Sequence, residues 1–175
     1  MISVIAGKYK GRKLFDVKDL HVRPTQAKVR KSVFQILEPF GDMKVLDLYA
    51  GVGTLGIEAL SRGASRVEFV EKNRRVFKVL KKNLELFDSE RCGLFLTDAL
   101  QFLSRIKNQC YDIIFADPPY DTEVSYHSIR EKVENILKPG GIFCMEMKED
   151  PIEILSNVRV KHYGSTQVVF WRSVI

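Results

Sequence analysis

One apolar run of the sequence, YDIIFA, ends in Asp117-Pro118-Pro119-Tyr120. Consecutive prolines restrict the backbone and withhold two N–H donors. What remains to face a ligand is mainly acceptors: the Asp117 carboxylate and the peptide carbonyls. Such a wall suits a planar exocyclic –NH₂, which has two protons to donate and a lone pair delocalised into its ring. Acceptors on those protons stabilise the positive charge that develops on nitrogen as it attacks a carbon electrophile. Tyr120 adds a face for base stacking, a contact tolerant of sequence. The plain alternative is a proline-rich turn after a strand.

Upstream, DLYAGVGTLG at 47–56 contains G-x-G-x-x-G. Gly51 and Gly53, with Ala50 beside them, allow positive φ and close backbone approach to a ligand. The same letters also make ordinary strand-to-helix turns. Glu71 follows Gly51 by 20 residues, where an acid commonly binds a ribose hydroxyl. Asp98, followed by Ala99, can cap a helix and also face an adenine amine. These features suit NAD and other adenosine cofactors alike. Asp47 separates them. A carboxylate four residues before Gly51 would repel a pyrophosphate but attract the sulfonium and ammonium of S-adenosylmethionine. The electrostatics therefore favour S-adenosylmethionine over NAD; the plain alternatives are an Asp47 that only bonds loop amides and an NAD-dependent oxidoreductase.

These residues need a scaffold that gathers them. From residue 44 onward, short apolar runs alternate with longer amphipathic stretches. Strands are predicted at 44–50, 66–71, 92–97, 111–117 and 141–147, and helices at 54–63, 73–87, 99–107 and 123–137. That alternation predicts an α/β fold, a parallel sheet with helices on both faces. The tail, 158–175, reads as two more strands that add an antiparallel pair. In open sheets of this kind ligands bind beyond the carboxyl ends of the strands. Asp47, Glu71, Asp98 and Asp117 each fall at such an end. Before this body, 2–7 and 12–17 read as a β-hairpin turning at KYKG, and 23–37 as a helix opened by Pro24 and capped by Thr25.

The chain of 175 residues fits one domain, 1–175, in which 1–40 form a basic extension. Those 40 residues hold nine Lys and Arg against three acids, which accounts for the whole net charge of +6. A basic arm on a balanced body points to a polyanion. Three scattered cysteines and three scattered histidines predict neither a disulfide framework nor a metal site, and no cysteine sits at the active rim as a nucleophile. The start has no signal-peptide pattern and no run is long enough to span a membrane. A monomer in a reducing cytoplasm is the expectation.

Taken together, IAGKYKGRKL, RPTQAKVRKSVFQIL, DLYAGVGTLGIEALSRGA, FVEKN and FADPPY resemble the RsmD family of class I methyltransferases, which act on a guanine N2 amine of bacterial small-subunit ribosomal RNA. The resemblance runs over nearly the whole chain and includes Gly7, Gly11, Arg12 and Leu14 of the arm and Arg23, Pro24, Thr25 and Arg30 beyond it. It implies a Rossmann-like sheet of seven strands, mostly parallel, with the last antiparallel. It implies S-adenosylmethionine held by Asp47, Ala50, Gly51, Gly53, Glu71, Asp98 and Ala99, no metal, and a target amine at Asp117, Pro118, Pro119 and Tyr120. Arg12, Lys13, Arg23, Thr25 and Arg30 are the expected RNA contacts, with Thr25 equally able to cap its helix. The expected substrate is 16S ribosomal RNA within a protein-bearing 30S particle. The Asp-Pro-Pro-Tyr motif on its own also admits adenine N6 or cytosine N4, and the fold admits a non-catalytic RNA-binding assembly factor.

Overall fold

The computed structural model describes residues 2–17, 27–119 and 124–174. Seven strands form one sheet: β1 (Lys44–Asp47), β2 (Arg66–Glu71), β3 (Cys92–Leu96), β4 (Tyr111–Ala116), β5 (Leu137–Lys148), β6 (Val158–Tyr163) and β7 (Thr166–Arg172). The helices are α1 (Ala27–Leu37), α2 (Thr54–Ser61), α3 (Arg74–Leu84), α4 (Ala99–Arg105) and α5 (Tyr126–Glu134). Strand order is β3-β2-β1-β4-β5-β7-β6. The pairs among β1 to β5 are parallel, and β7 runs antiparallel to both β5 and β6.

Strand side chains alternate between two apolar layers, as the period of two requires. Val45, Phe69, Ile113, Cys144 and Val168 pack with α1, α2 and α3. Their neighbours Leu46, Val70, Ile114, Phe143 and Val169 pack with α4 and α5 on the opposite face. A sheet buried on both faces explains why its strands read as nearly continuous apolar runs.

Three helices start where a polar side chain caps them. The Asn73 Oδ1 accepts from the Arg75 amide at 2.9 Å, the Asp98 Oδ1 from the Leu100 amide at 2.9 Å, and the Ser125 Oγ from the Ser128 amide at 3.1 Å. Each satisfies an otherwise orphaned first-turn donor. Asn73 and Asp98 lie two residues after β2 and β3, so their caps begin α3 and α4 directly at the strand ends.

The arm differs from the hairpin expected at 2–17. Its pairing is shorter: the two legs join antiparallel through the single bridge Ser3 to Lys13 and the bonds Val4 N–H to Arg12 C=O, Gly11 N–H to Val4 C=O and Leu14 N–H to Ile2 C=O. The reason is competition for the backbone. The amides of Ile5 and Ala6 donate instead to the buried Glu58 carboxylate on α2, at 2.7 and 3.0 Å. Ser61 adds a bond from the Tyr9 amide at 3.0 Å and donates to the Ala6 carbonyl at 2.6 Å. Asn83 of α3, fully buried, both donates to the Phe15 carbonyl and accepts from the Phe15 amide, and it donates to the Val52 carbonyl at 2.8 Å. The arm is thus bolted to α2 and α3. Of the helix expected at 23–37, the described part is α1. The Lys138-Pro139-Gly140-Gly141 stretch, between the helix expected at 123–137 and the strand expected from 141, belongs to β5, whose pairing with β4 shifts register between Tyr111 and Ile113.

Candidate active site

β1 continues to β2 and β3 on one side of the sheet, and the chain then returns to β4 on the other side. The crevice at that reversal is where open α/β sheets take ligands. Register fixes what meets there. Asp47 pairs with Phe69 on one side and Phe115 on the other, so the ends of β1, β2 and β4 are level. Asp117 follows β4 directly, and the glycine loop follows β1.

The loop turns through Gly51 at φ 55° and Gly53 at φ 96°, where the Gly53 amide donates to the Ala50 carbonyl at 2.8 Å. A Cβ on Gly51 would meet no atom within 4 Å, so that position faces open space. At Gly56 a Cβ would lie 2.2 Å from the Phe69 ring. The first glycine therefore leaves room for a ligand and the third lets α2 press on the sheet. Glu71 steadies the loop: its Oε2 accepts from the Gly51 amide at 3.0 Å and its Oε1 from the Asn73 amide at 2.7 Å. Burial raises the Glu71 pKa, opposed by those amide bonds.

Asp47 is 1% exposed. Its Oδ2 accepts from the Gly56 amide at 3.0 Å, while its Oδ1 is buried with no hydrogen-bond partner among the described residues. Burial pushes its pKa up to about 7, with the negative charge of Glu71 adding to the effect and the Gly56 and Tyr49 amides opposing it. A buried carboxylate with an idle oxygen is costly unless a cation meets it. The donor set thus fits the ammonium of S-adenosylmethionine, with Glu71 suited to the ribose and Asp98 to the adenine end. Asp98 keeps its capping role with one oxygen, and Ala99 is buried behind it. Tyr49, absent from the expected set, is half-buried in the same loop, and Asp98 contributes to raising its pKa to about 12 after burial. Its only sequence signal was membership of the loop motif.

Asp117 is half-buried, Pro118 buried and Pro119 exposed. Tyr120, Arg23 and Thr25 lie outside the described residues. Arg12 and Lys13 are exposed on the arm, and Arg12 is held by the Leu86 carbonyl at 2.6 Å while lying over the Tyr9 ring. Arg30 departs from the expected surface contact. It is 4% exposed and donates to the Ser3 carbonyl at 3.0 Å. Its place on α1 explains this: Arg30, Val33, Phe34 and Leu37 share the inward face. Glu58, Ser61 and Asn83, which anchor the arm, were missed because buried polar residues leave no mark in a hydrophobic pattern. Among the described residues no group of three or more His, Cys, Asp or Glu could hold a metal, and no helix is long and apolar enough to cross a membrane.

A family model described as conserved hypothetical protein 95 matches residues 2–172. The "Ribosomal RNA small subunit methyltransferase D" of Haemophilus influenzae is 34% identical over 177 residues, covering 98% of this chain and 92% of that one. The chain belongs to the RsmD family. A candidate ribosomal RNA methyltransferase of Bacillus subtilis, YlbH, is 38% identical with 98% of each chain covered. Among solved structures, an Escherichia coli chain named as a candidate methyltransferase, yhhF, superposes with a TM-score of 0.86 at 30% identity, over 99% of this chain and 98% of that one. The RsmD-family sheet, with its antiparallel last strand, is the architecture expected from the sequence.

Proposed function

We propose that this RsmD-family chain transfers a methyl group from S-adenosylmethionine to the N2 amine of a guanine in small-subunit ribosomal RNA. The observation that carries the reading is the adjacency of β1 and β4, by which the Asp117-Pro118 rim follows the strand beside β1, whose last residue Asp47 has a buried oxygen without a hydrogen-bond partner among the described residues. S-adenosylmethionine supplies an electrophilic methyl carbon on a positively charged sulfur. Asp47 holds the ammonium, the Gly51 backbone leaves room for the methionine end, and Glu71 takes the ribose hydroxyls. Asp117 accepts a hydrogen bond from the guanine amine, and the Pro118 carbonyl accepts the second. The amine nitrogen forms its bond to the methyl carbon as the carbon–sulfur bond breaks, and Asp117 receives the proton that nitrogen sheds. Tyr120 stacks on the base. Placement and charge stabilisation supply most of the rate.

A paired guanine cannot reach this rim, so the base is flipped out or already unpaired. The arm is too small to enclose an RNA helix, which favours a protein-bearing 30S particle over naked RNA and a monomeric enzyme acting on it. Arg12 and Lys13 contact phosphates. The test is transfer of labelled methyl to small subunits from cells lacking the gene, followed by nucleoside analysis. N2-methylguanine is the expected product. Methyladenine or methylcytosine would overturn the choice of base, and absence of transfer would overturn the activity.

A further inference from the structure

We propose that the outer face of α3, continuous with the arm, is a second grip on the RNA phosphodiester backbone. The inference rests on the reading of this chain as an RNA methyltransferase and names a surface for its substrate. Lys72, Arg74, Arg75, Lys78, Lys81 and Lys82 are all exposed, and no acid interrupts residues 72–84. Among the described residues none of the six takes part in an ion pair. An ordinary solvated helix looks different: on α5, Arg130 faces Glu134 at 3.8 Å and Glu131 lies between them.

The face works against its own helix. Arg74 and Arg75 occupy the first turn, where the macrodipole is positive, with no acid to offset them. Arg74 and Lys78, and Lys78 and Lys82, are like charges at i,i+4, a destabilising spacing. A bound polyanion relieves both costs.

Position and continuity match that partner. α3 begins three residues after Glu71, at the cofactor rim. At its far end the Lys82 ammonium lies 4.0 Å from the centroid of the Phe15 ring, and Arg12 of the arm reaches the Leu86 carbonyl just beyond the helix. The cations of α3 and of the arm form one surface leading away from the crevice.

The test is the triple variant Lys78→Gln, Lys81→Gln, Lys82→Gln, assayed on small subunits from cells lacking the gene. KM for the subunit should rise about tenfold or more, with kcat and S-adenosylmethionine affinity unchanged. The slope of log binding constant against log salt should become shallower by about 2, from roughly 0.7 per lost phosphate contact on unpaired RNA. The melting temperature should change little, because relief of the repulsion between Lys78 and Lys82 offsets the loss of the Lys82–Phe15 contact and of two cations at the C-terminal end of the helix. The comparison variant Arg105→Gln, Lys107→Gln, at the end of α4 on the opposite face, should leave KM and slope unchanged. An unaltered KM and slope in the triple variant, or an equal loss in the comparison variant, overturns the proposal. Absence of methyl transfer by the unaltered chain would count against the methyltransferase reading, while the salt slope from filter binding to the same subunits still decides the α3 surface.

Discussion

At the scale of single residues, Asp47 governs the pH behaviour. Its carboxyl is held at about 7 in the fold by burial and by Glu71, well above the usual carboxylate range. A raised pKa means that folding favours the protonated form. The stability this group contributes is therefore full below about pH 4 and is lost as pH rises through about 7. A bound ammonium favours the ionised form instead. Thermal melts should show S-adenosylmethionine stabilising the protein progressively more between about pH 6 and 7, levelling above that as the cofactor's own ammonium begins to lose its proton. Asp47→Asn should flatten the pH dependence of the cofactor-free melt and weaken cofactor binding about tenfold or more by calorimetry. Asp117→Ala should cut kcat by about 10²–10³-fold with cofactor affinity retained; unchanged turnover would remove Asp117 from the chemistry. The positions of Asp47, Glu71 and Asp98 at the strand ends were legible because such ends can be read from apolar runs. Arg30 was misread because its charge was taken as a sign of exposure, although its spacing with Val33, Phe34 and Leu37 already set it facing inward.

At the scale of elements, the alternation of strands and helices was legible because the apolar period changes between them; the exception in extent is β5, which begins at Leu137, before the strand expected at 141–147. The arm was legible only in part, since a hairpin pattern assumes that all backbone amides pair with the opposite leg. Here Glu58 draws the Ile5 and Ala6 amides to α2 and also accepts from Arg62 Nε at 2.8 Å. Gly7 marks the same contact: a Cβ there would lie 1.9 Å from the Ser61 carbonyl oxygen. Glu58→Gln keeps the shape but weakens the acceptors and should cost about 1–3 kcal/mol in denaturant melts. Loss confined to the arm, with the sheet unaffected, should appear as faster amide exchange at Ile5 and Ala6.

At the scale of the whole molecule, the order of strands was supplied by resemblance rather than by periodicity, which is blind to which strand lies beside which. Charge was legible only as a sum. The body beyond residue 40 is balanced overall, and that balance concealed a helix whose cations are gathered on one side. Asn83 joins the two halves of the molecule's task. One amide group holds the arm at Phe15 and the cofactor loop at Val52, so a load on either is felt by the other. We propose that this contact couples RNA and cofactor binding; thermodynamic reciprocity then makes the RNA tighten the cofactor by the same factor that the cofactor tightens the RNA, of the order of 5–150 for allosteric couplings. Binding measured around that cycle should close, and Asn83→Ala should drive the factor toward one. An enzyme built this way would release its spent cofactor and its methylated product as linked events, each departure loosening the other.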